Sequence, residues 1–516
     1  MSAWQQTRRT FLGAAGGAGG LILLGARTCL AQGPRVRKNV ARLTASEIAS
    51  LERGVAAMKR IPRNVATSWA FQANMHGYIA AEERQVFRGW GSCQHGSWWF
   101  LPWHRGYLLY FERILRSLSG DPNLTLPYWD WTNPEQRSLP ARFLDPRSPL
   151  YERNRSFGAN GGGELSESAI QWERALQEIP FSSPQPARGF GGQVVRGPGS
   201  YRPHGALESL AHDLVHDQIG GYMGSPNTAG RDPIFWLHHA NVDRLWGEWL
   251  RRQEGRYNPE DAPWLDTPFN FYGPRGVVGQ ATSRQILQTA SSDYRYDSEP
   301  AGTIPLVASA APPNAQQPRR VGMAAPDRQR PTVTLAAEAP AIRELGSQPV
   351  SATFKLGTES KRQLEGVLAA RQGADPMAEG PAVRVAVEDI RFDAPPGRIY
   401  EVYVNLPDPA EATGPRSPYF AGTISFFGLH MGHAGGHPPA TTRGATAVVD
   451  VTEAVGRLRE QGTLRDEVRV TLIPQTMKIR PRAQAASATP KAAVVPQAVA
   501  PPRVTFSAIR LLKEGE

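Results

Sequence analysis

Two groups of histidines have the residue type and spacing that suit metal chemistry. His212 and His216 lie four residues apart in a segment that can be helical. At about 3.6 residues per turn, such a pair shares one face of a helix and can bind one metal ion. A Gly-rich stretch and an Asp-Pro pair separate them from His238 and His239, which open a second pattern of helical spacing. Three imidazoles from two helices suit copper, iron or zinc, and the ligand type favours the later first-row metals.

A second group of histidines lies upstream. His76 is in the segment FQANMHGYI, and His95 and His104 are in CQHGSWWFLPWHRGYLLYFERIL. The latter segment becomes helical in pattern around Trp103 and leads into LPYWDW. Six of the 11 histidines thus fall into two groups of three, each ending on a helix rich in aromatic residues. The sequence therefore predicts two metal-binding half-sites.

These segments resemble the type 3 dicopper family, which contains tyrosinases, catechol oxidases and molluscan hemocyanins. The resemblance rests on PWHRGYLLYFE, on PYWDW, and on HDLVH followed by GRDPIFWLHHANVDRLW, and it covers roughly residues 75–249. It implies a mainly α-helical bundle that holds two copper ions and uses O2 as co-substrate. It implies three ligands for one ion (copper A) and three for the other (copper B): His76, His95 and His104, then His212, His216 and His239.

The remaining histidines receive no ligand role. Neighbouring helix residues point about 100° apart, and the family uses the second of the adjacent pair, so His238 is expected to pack beside the site. His204 has Pro and Gly neighbours and no helical partner, which predicts a solvent-facing loop residue. A last group, in LHMGHAGGHPP, fits a loop near the active-site mouth better than a rigid metal site: His430, His433 and His437.

One cysteine stands beside a presumed ligand. Cys29 is expected to leave with an N-terminal signal, so the mature chain would keep Cys93 alone and form no internal disulfide. In fungal tyrosinases and molluscan hemocyanins, a cysteine two residues before this histidine is joined to it as a thioether. By resemblance we expect a Cys93–His95 thioether, which would stiffen a loop that contains Gly91 and Gly96. A buried free cysteine is the alternative.

Two acidic residues are candidates for proton transfer. Glu208 lies four residues before His212, where related enzymes carry a glutamate that orders a water beside the copper; an ordinary helix-start carboxylate is the alternative. Asp213 lies where tyrosinases commonly carry Asn, and it could accept a phenol proton or repel a substrate carboxylate. Asp217, which follows His216, would add negative charge to the same rim if both acids are exposed. That rim would favour amine-bearing phenols over phenolic acids.

The N-terminus predicts export. Residues 1–31 place Arg8 and Arg9 before a Gly/Ala-rich apolar stretch, the pattern of a twin-arginine signal peptide. The stretch is too short and too rich in glycine for a membrane anchor. We expect a periplasmic or secreted protein with no integral membrane segment in the mature chain.

Composition divides the rest of the 516 residues into four segments. Residues 35–297 are the predicted dicopper domain, and residues 298–349 are a Pro/Ala-rich linker. Alternating β-branched runs in residues 350–476 predict an antiparallel β-sandwich, whose order resembles the C-terminal domain of plant polyphenol oxidases. Residues 477–516 are a low-complexity tail with room for a final strand. The resemblance implies a C-terminal domain that shields the copper site, and three residues are apolar candidates for the blocking side chain: Phe426, Phe427 and Leu429.

The net charge of +11 and the pI near 9.8 do not predict a nucleic-acid partner. Arg residues are scattered and form no long basic run, so the charge indicates solvation or loose attraction to acidic surfaces. Hydrophobic content of 40% and 13 Trp predict a globular protein with a sizeable core.

By resemblance the chain is a tyrosinase that uses O2 to hydroxylate monophenols and to oxidise o-diphenols to o-quinones. Plant catechol oxidases carry a phenylalanine that narrows the pocket, and Pro226 lies at that position here, which predicts easier access for monophenols. A catechol oxidase without monophenol hydroxylation is one alternative. A hemocyanin-like O2 carrier is disfavoured because carriers repeat the unit or form large assemblies. A zinc hydrolase is disfavoured because no HExxH motif is present.

Overall fold

The computed structural model describes residues 34–182, 189–195, 197, 204–253, 255–300, 332–372, 380–429, 444–464, 466–479 and 502–515. We call residues 34–300 the helical half and residues 332–515 the sheet half. The predicted signal peptide and three of the histidines lie outside the described residues: His430, His433 and His437. In the part that is described, no helix is both long enough and apolar enough to span a membrane.

The helical half contains the following α-helices: α1 (Ala45–Arg60), α2 (Trp69–His76), α3 (Phe100–Ser119), α4 (Ala141–Leu144), α5 (Phe157–Asn160), α6 (Trp172–Gln177), α7 (Asp213–Ile219), α8 (Pro233–Arg251), α9 (Ala262–Asp266) and α10 (Ser283–Asp293). A π-helical turn, Glu208–His212, runs directly into α7. Helices α3 and α8 pack against each other and are buried along almost their whole length. They are the segments in which the sequence pattern predicted helices.

The ends of these two helices are fixed by local chemistry. Helix α8 begins with Asp232, whose side chain accepts the N–H of Ile234 at 3.0 Å, and with Pro233 at the first helical position. Arg155 donates to both oxygens of Asp232 at 2.7 Å each, which holds this cap in place. Helix α3 ends at Gly120, whose φ of 72° is left-handed backbone that favours glycine.

A buried ionic cluster ties the first and last strands of the helical half to α3 and α8. Strand β1 (Arg35–Arg37) pairs in parallel with β4 (Tyr294–Tyr296). The Asp243 carboxylate of α8 accepts from Nε of Arg105 at 2.6 Å and from the hydroxyl of Tyr296 at 2.6 Å. Arg37 donates from Nε to Glu112 of α3 at 2.8 Å. A hairpin of β2 (Pro268–Tyr272) and β3 (Val278–Thr282) packs nearby against α3.

The sheet half contains two antiparallel sheets and helices α11 (Thr358–Arg371) and α12 (Thr452–Glu460). One sheet has the order β10-β9-β12-β7, and the other has β5-β14-β8-β13-β6 with β11 also paired to β8. Apolar side chains from both sheets enter one buried cluster. The strands are β5 (Thr332–Ala337), β6 (Arg343–Glu344), β7 (Val350–Lys355), β8 (Ala382–Phe392), β9 (Ile399–Val404), β10 (Phe420–Ile424), β11 (Ala445–Asp450), β12 (Glu467–Gln475), β13 (Val504–Phe506) and β14 (Ala508–Glu514).

The predicted linker and tail both contain strands of this sheet. Strands β5 and β6 lie within residues 298–349, and β13 and β14 lie within residues 477–516. Strand β14 pairs with β5 on one side and with β8 on the other. Because the last strand of the chain lies between two earlier ones, its role depends on pairing over long sequence separation, which composition does not reveal. The linker prediction was therefore wrong for residues 332–337 and 343–344.

The two halves are in direct contact. The residues from Pro34 onward group as one unit. The backbones of Glu164 and Lys478 exchange two hydrogen bonds, at 2.9 and 3.0 Å. Gly220, after α7, has a φ of +66°, and a Cβ there would lie 2.8 Å from Cα of Gly397 in the sheet half. A larger residue at either position would push the halves apart at the end of the helix that carries His216.

Candidate metal centre

The upstream histidines converge from helix α2, helix α3 and the loop between them. Each presents one ring nitrogen to a fixed acceptor. Nδ1 of His76 lies 2.8 Å from the carbonyl of Pro226, Nδ1 of His104 lies 2.8 Å from the carbonyl of Phe100, and Nδ1 of His95 lies 2.8 Å from Oε1 of Glu208. A carbonyl or carboxylate accepts only, so each Nδ1 carries the proton and each Nε2 keeps a lone pair.

Two of the downstream histidines follow the same rule, whereas Nδ1 of His239 has no hydrogen-bond partner among the described residues. Nδ1 of His212 lies 2.8 Å from Oδ1 of Asp213, and Nδ1 of His216 lies 2.7 Å from the carbonyl of Met223. The π-helical turn widens the backbone immediately before α7, a feature often found at functional sites. Helix α8 places His239 opposite, with its Nε2 at 3.2 Å from Nε2 of His212.

The ring nitrogens that face inward fit a metal centre. Nε2 of His76 and Nε2 of His95 lie 3.0 Å apart although both rings carry their proton on Nδ1, so two lone pairs face each other. The Nε2 atoms of His104 and His216 are buried without a hydrogen-bond partner among the described residues. Buried lone pairs without donors are costly, and a cation bound between them removes that cost.

Burial keeps all six imidazoles neutral. None is more than 5% exposed. Burial, followed by neighbouring imidazoles, holds the pKa of five of these rings well below the usual range and lowers that of His95 to about 3. A neutral imidazole is the form that binds a metal. Donor atoms within 4.8 Å of one another form three groups that contain these histidines, and the first of them joins upstream and downstream residues: His76, His104 and His239; His76, Cys93 and His95; His212, His216, His238 and His239.

His238 lies nearer to the donors than expected, but its tautomer separates it from them. Nε1 of Trp131 donates to its Nδ1 at 3.1 Å, so its Nε2 carries the proton. A protonated Nε2 has no lone pair for a metal, whereas Nε2 of His239 faces His212 directly. The geometry agrees with the prediction that His238 packs beside the site.

Cys93 is fully enclosed beside the ligand predicted to be its partner. It is 1% exposed, and its sulfur lies within 4.8 Å of a ring nitrogen of His95. Burial, and secondarily Glu208, raises the pKa of its thiol far above the usual range. The sulfur of Cys93 thus lies close to His95, whereas ionisation of the thiol to a thiolate is disfavoured at this position.

His204 lies in a loop, as the sequence predicted, but its side chain is only 22% exposed and contacts two buried acids. Its Nδ1 donates to Oδ2 of Asp213 at 2.6 Å and lies 3.4 Å from Oε1 of Glu208. Burial disfavours its charge, but Asp213 and then Glu208 outweigh this and raise its pKa to about 9. Burial raises the pKa of Glu208 to about 7 and that of Asp213 to about 6, and His204 opposes both shifts. Pro and Gly neighbours indicated a loop correctly but not what the loop contacts.

Asp213 and Asp217 do not form an exposed acidic rim. Both are buried, at 3% and 0% exposure. Asp217 accepts from Oγ of Ser425 at 2.6 Å and from the N–H of Phe426 at 2.8 Å, both in the sheet half. Burial raises the pKa of Asp217 to about 8 despite these donors. The assumption that the acids are exposed was wrong for this structure, because the sheet half covers them.

Of the three apolar candidates for a blocking side chain, Phe427 is the one that contacts the histidines. Its ring stacks on His216 at a centroid distance of 4.2 Å and lies edge-on to His95 at 5.4 Å and to His212 at 5.5 Å. Phe426 packs instead on Tyr400 of the sheet half, and Leu429 packs against the core of that half. Phe427 therefore covers ligands of both predicted copper ions.

Comparison with known proteins agrees with this geometry. A model of the common central domain of tyrosinase matches residues 66–193 and 170–252, and a domain of unknown function (DUF7868) matches residues 332–484. A tyrosinase of Hahella sp. is 29% identical over 482 residues, which cover 86% of this chain and 96% of the relative. A chloroplastic polyphenol oxidase of Malus domestica is 30% identical over 398 residues, covering 71% of this chain and 64% of the relative.

A solved structure shows the same fold. Latent apple tyrosinase has a TM-score of 0.53 at 23% identity, over 94% of this chain and 98% of that chain. The helical core, the two groups of imidazoles and the matched central domain define a type 3 copper oxidase that uses O2. The chain belongs to the tyrosinase and polyphenol oxidase family. The predicted family, enzyme class and copper cofactor are confirmed.

Proposed function

We propose that the chain is a tyrosinase whose two copper ions are bound by Nε2 atoms of the six predicted ligands. Three bind copper A and three bind copper B: His76, His95 and His104, then His212, His216 and His239. The observation that carries the proposal is the set of inward-facing Nε2 atoms, which lie 3.0 Å apart in His76 and His95 and 3.2 Å apart in His212 and His239. When bound, the copper pair supplies O2 activation and phenol oxidation.

The chain's own residues hold this donor set rigid. Fixed Nδ1 partners set the orientation of five rings before any metal binds. Two phenylalanines press on rings from both groups: Phe100 lies 4.7 Å from His104 and 4.9 Å from His212, and Phe235 lies 4.9 Å from His76 and 4.3 Å from His239, all between ring centroids. We propose that these apolar walls also exclude bulk water. The Cys93–His95 thioether would add stiffness.

Copper stoichiometry tests the ligand assignment. The protein loaded with Cu(II) should bind two copper ions per chain, and His104→Ala or His216→Ala should each lose about one equivalent and all oxidase activity. Full activity in either variant would contradict the assignment. Ser209→Ala, which removes a single hydrogen bond to the carbonyl of Gly205, is the matched control.

We further propose that the protein is latent, with Phe427 as the blocking side chain. The support is its position over His95, His212 and His216, and the anchoring of the two preceding residues by Asp217. One structural relative is named as a latent tyrosinase. Cleavage within residues 301–331, followed by verified separation of the sheet half, should raise oxidase activity. Unchanged activity after verified separation would refute the proposal.

Phenols are the proposed substrates, and their charge preference should depend on Asp217. Removal of the sheet half takes away the donors of Asp217, whereas Asp213 keeps its bonds to His204 and His212. A solvated carboxylate contributes about 1 kcal/mol or less, so tyramine should exceed 4-hydroxyphenylacetate in kcat/KM by up to about fivefold. Asp217→Asn should abolish that ratio. Oxidation of catechol without hydroxylation of either phenol would identify a catechol oxidase.

The proton-transfer roles of Glu208 and Asp213 remain predictions. Both carboxylates accept from imidazoles here, and Glu208 also accepts from the N–H of Gly96 at 3.1 Å. If either takes a phenol proton, the corresponding amide, Glu208→Gln or Asp213→Asn, should lower kcat and remove a limb of its pH profile. A fall in copper content without a change in that profile would assign only a ligand-holding role.

We also infer a bundle around the copper pair, a β-sandwich in the sheet half and export through a twin-arginine signal. The shared apolar cluster of the two sheets supports the sandwich. Slow amide exchange in the central strands β8 and β12, lost together on denaturation, would test it. Replacing Arg8 and Arg9 with Lys should retain the protein in the cytoplasm if the signal acts as predicted.

A further inference from the structure

His204 contacts the two carboxylates that hold one ligand of each copper group. Its Nδ1 lies 2.6 Å from Oδ2 of Asp213 and 3.4 Å from Oε1 of Glu208. Asp213 uses its other oxygen to accept from Nδ1 of His212 at 2.8 Å. Glu208 accepts from Nδ1 of His95, also at 2.8 Å. The imidazole of His204 therefore lies between Glu208, which accepts from a proposed copper A ligand, and Asp213, which accepts from a proposed copper B ligand. We call these two carboxylates the outer partners of the ligands.

The imidazole of His204 lies against both carboxylates, which are buried. Their side chains are 1% and 4% exposed, and no Lys or Arg among the described residues forms an ion pair with either. Buried carboxylates that lack a cationic or hydrogen-bonding partner are strongly disfavoured. His204 also lies nearly parallel to the ring of His95, at a centroid distance of 6.0 Å and an angle of 27°, so it has a defined orientation.

The trio of His204, Glu208 and Asp213 is a hydrogen-bonded cluster rather than a third metal site. Its donor atoms lie within 4.8 Å of one another, as a metal site would require. The distance of 2.6 Å between Nδ1 of His204 and Oδ2 of Asp213 is that of a direct hydrogen bond and leaves no space for a cation between them.

We propose that His204 is a positioning residue that couples the two copper sites. The Nδ1–H of His204 donates to Asp213 and lies beside Glu208. It thereby orients the two carboxylates that accept from His212 and His95, so that one side chain holds both rings in place. The proposal rests on the ligand sets proposed above. It goes beyond them because His204 belongs to neither ligand set and lies in a loop for which no role was predicted.

The coupling has a consequence that two independent outer partners would not have. Loss of an outer partner typically costs about 10–100-fold in metal affinity or activity. Loss of Glu208 should loosen copper A alone, and loss of Asp213 should loosen copper B alone. Loss of His204 should loosen both ions together, because both carboxylates lose the group between them.

Copper release from the full-length protein tests this consequence. The wild type and variants are loaded with Cu(II), and the copper content and the rate of transfer to an excess chelator are measured for each ion. His204→Leu removes the donor. His204→Asn keeps an amide N–H near the place of Nδ1. Ser209→Ala controls for loss of a neighbouring hydrogen bond.

We expect His204→Leu to release both copper ions about 10-fold faster than the wild type, and His204→Asn to restore most of the difference. Glu208→Gln and Asp213→Asn should each accelerate one ion. The proposal would be overturned if His204→Leu released copper as slowly as Ser209→Ala, or if it accelerated the release of one ion only. Equal acceleration in His204→Leu and His204→Asn would also overturn it. If His204→Leu does not fold, His204→Gln, whose amide lies one atom farther out, replaces it.

The control for the underlying function is separate. A wild-type protein that binds fewer than two copper ions would contradict the proposed ligand sets whatever the variants do. A wild type that binds two ions, with both released at unchanged rates from His204→Leu, would contradict only the coupling.

Discussion

Ser425→Ala should partly activate the intact protein by weakening the anchor of Phe427. Oγ of Ser425 donates to Oδ2 of Asp217 at 2.6 Å and accepts from the N–H of Phe427 at 3.2 Å. The substitution removes both contacts but leaves the bond from the N–H of Phe426 to Asp217, at 2.8 Å. The phenylalanine ring, the copper ligands and Asp217 itself are unchanged.

The size of the effect follows from the hydrogen bond to Asp217. A hydrogen bond between neutral groups contributes about 0.5–1.5 kcal/mol and one to a charged group about 1.5–3 kcal/mol. Burial raises the pKa of Asp217 to about 8, so near neutral pH the bond has an intermediate value, about 1–2 kcal/mol. This is a factor of about 5–30 in an equilibrium constant. While the covered state dominates, activity follows the uncovered fraction and should rise by the same factor.

The assay compares initial rates of catechol oxidation by intact and cleaved protein. In Ser425→Ala the intact protein should gain about 5–30-fold, whereas the separated helical half should equal the wild type because it lacks residue 425. Ser360→Ala, which removes a bond to the carbonyl of Leu335 within the sheet half, is the control and should leave both rates unchanged. Equal rates for intact wild type and Ser425→Ala would refute the anchor. A matching gain in Ser360→Ala would show general loosening of the sheet half instead.

Three further predictions follow from the site and its support. Asp243→Asn should lower the free energy of unfolding by about 3–5 kcal/mol in urea titrations, because Arg105 and Arg37 lose a buried carboxylate. Burial opposes ionisation of Asp243, but the two arginines hold its pKa below the usual range. The stability that the ionised carboxylate contributes should therefore be present at neutral pH and be lost as the pH falls through that lowered pKa. The variant should lack this acid-dependent loss of stability. In copper-loaded protein exposed to O2, which would accept the two electrons and two protons, the peptide joining Cys93 to His95 should be lighter by two hydrogens, and Cys93→Ser should abolish this mass difference. Removal of copper by a chelator should lower the Tm, and Cu(II) but not Mg2+ should restore it.

The two histidine groups could be recognised in the sequence because their spacing is local, and the resemblance then implied which six residues bind copper. His212 and His216 share a helical face within one turn, and the aromatic helices around His104 and His239 carry their own periodicity. These features depend on helix geometry, which repeats every few residues. The antiparallel strands of the sheet half were predicted for the same reason, since alternation of apolar residues is a property of each strand alone.

What the sequence did not show depends on contacts between distant segments. Glu208 meets His95 across 113 positions, and Asp217 meets Ser425 across 208. The strand at Thr332–Ala337 is recognisable only through its pairing with the end of the chain. His204 has the flanking residues of an ordinary loop, and only the fold brings it to Asp213. Pattern and composition describe a segment, and none of these roles belongs to a segment by itself.

The buried carboxylates around the histidines explain how one site can be both preorganised and covered. Glu208 and Asp213 accept from the imidazoles of His95 and His212 and lie against His204, so these partners are all in the helical half. Asp217 has its donors entirely in the sheet half. Three acids within ten residues therefore divide into two that accept from proposed ligands and one that accepts from the sheet half. Since Asp217 is the one of these three acids whose hydrogen-bond donors among the described residues lie in the sheet half, opening as proposed should change the contacts of Asp217 and leave the partners of the ligand imidazoles in place.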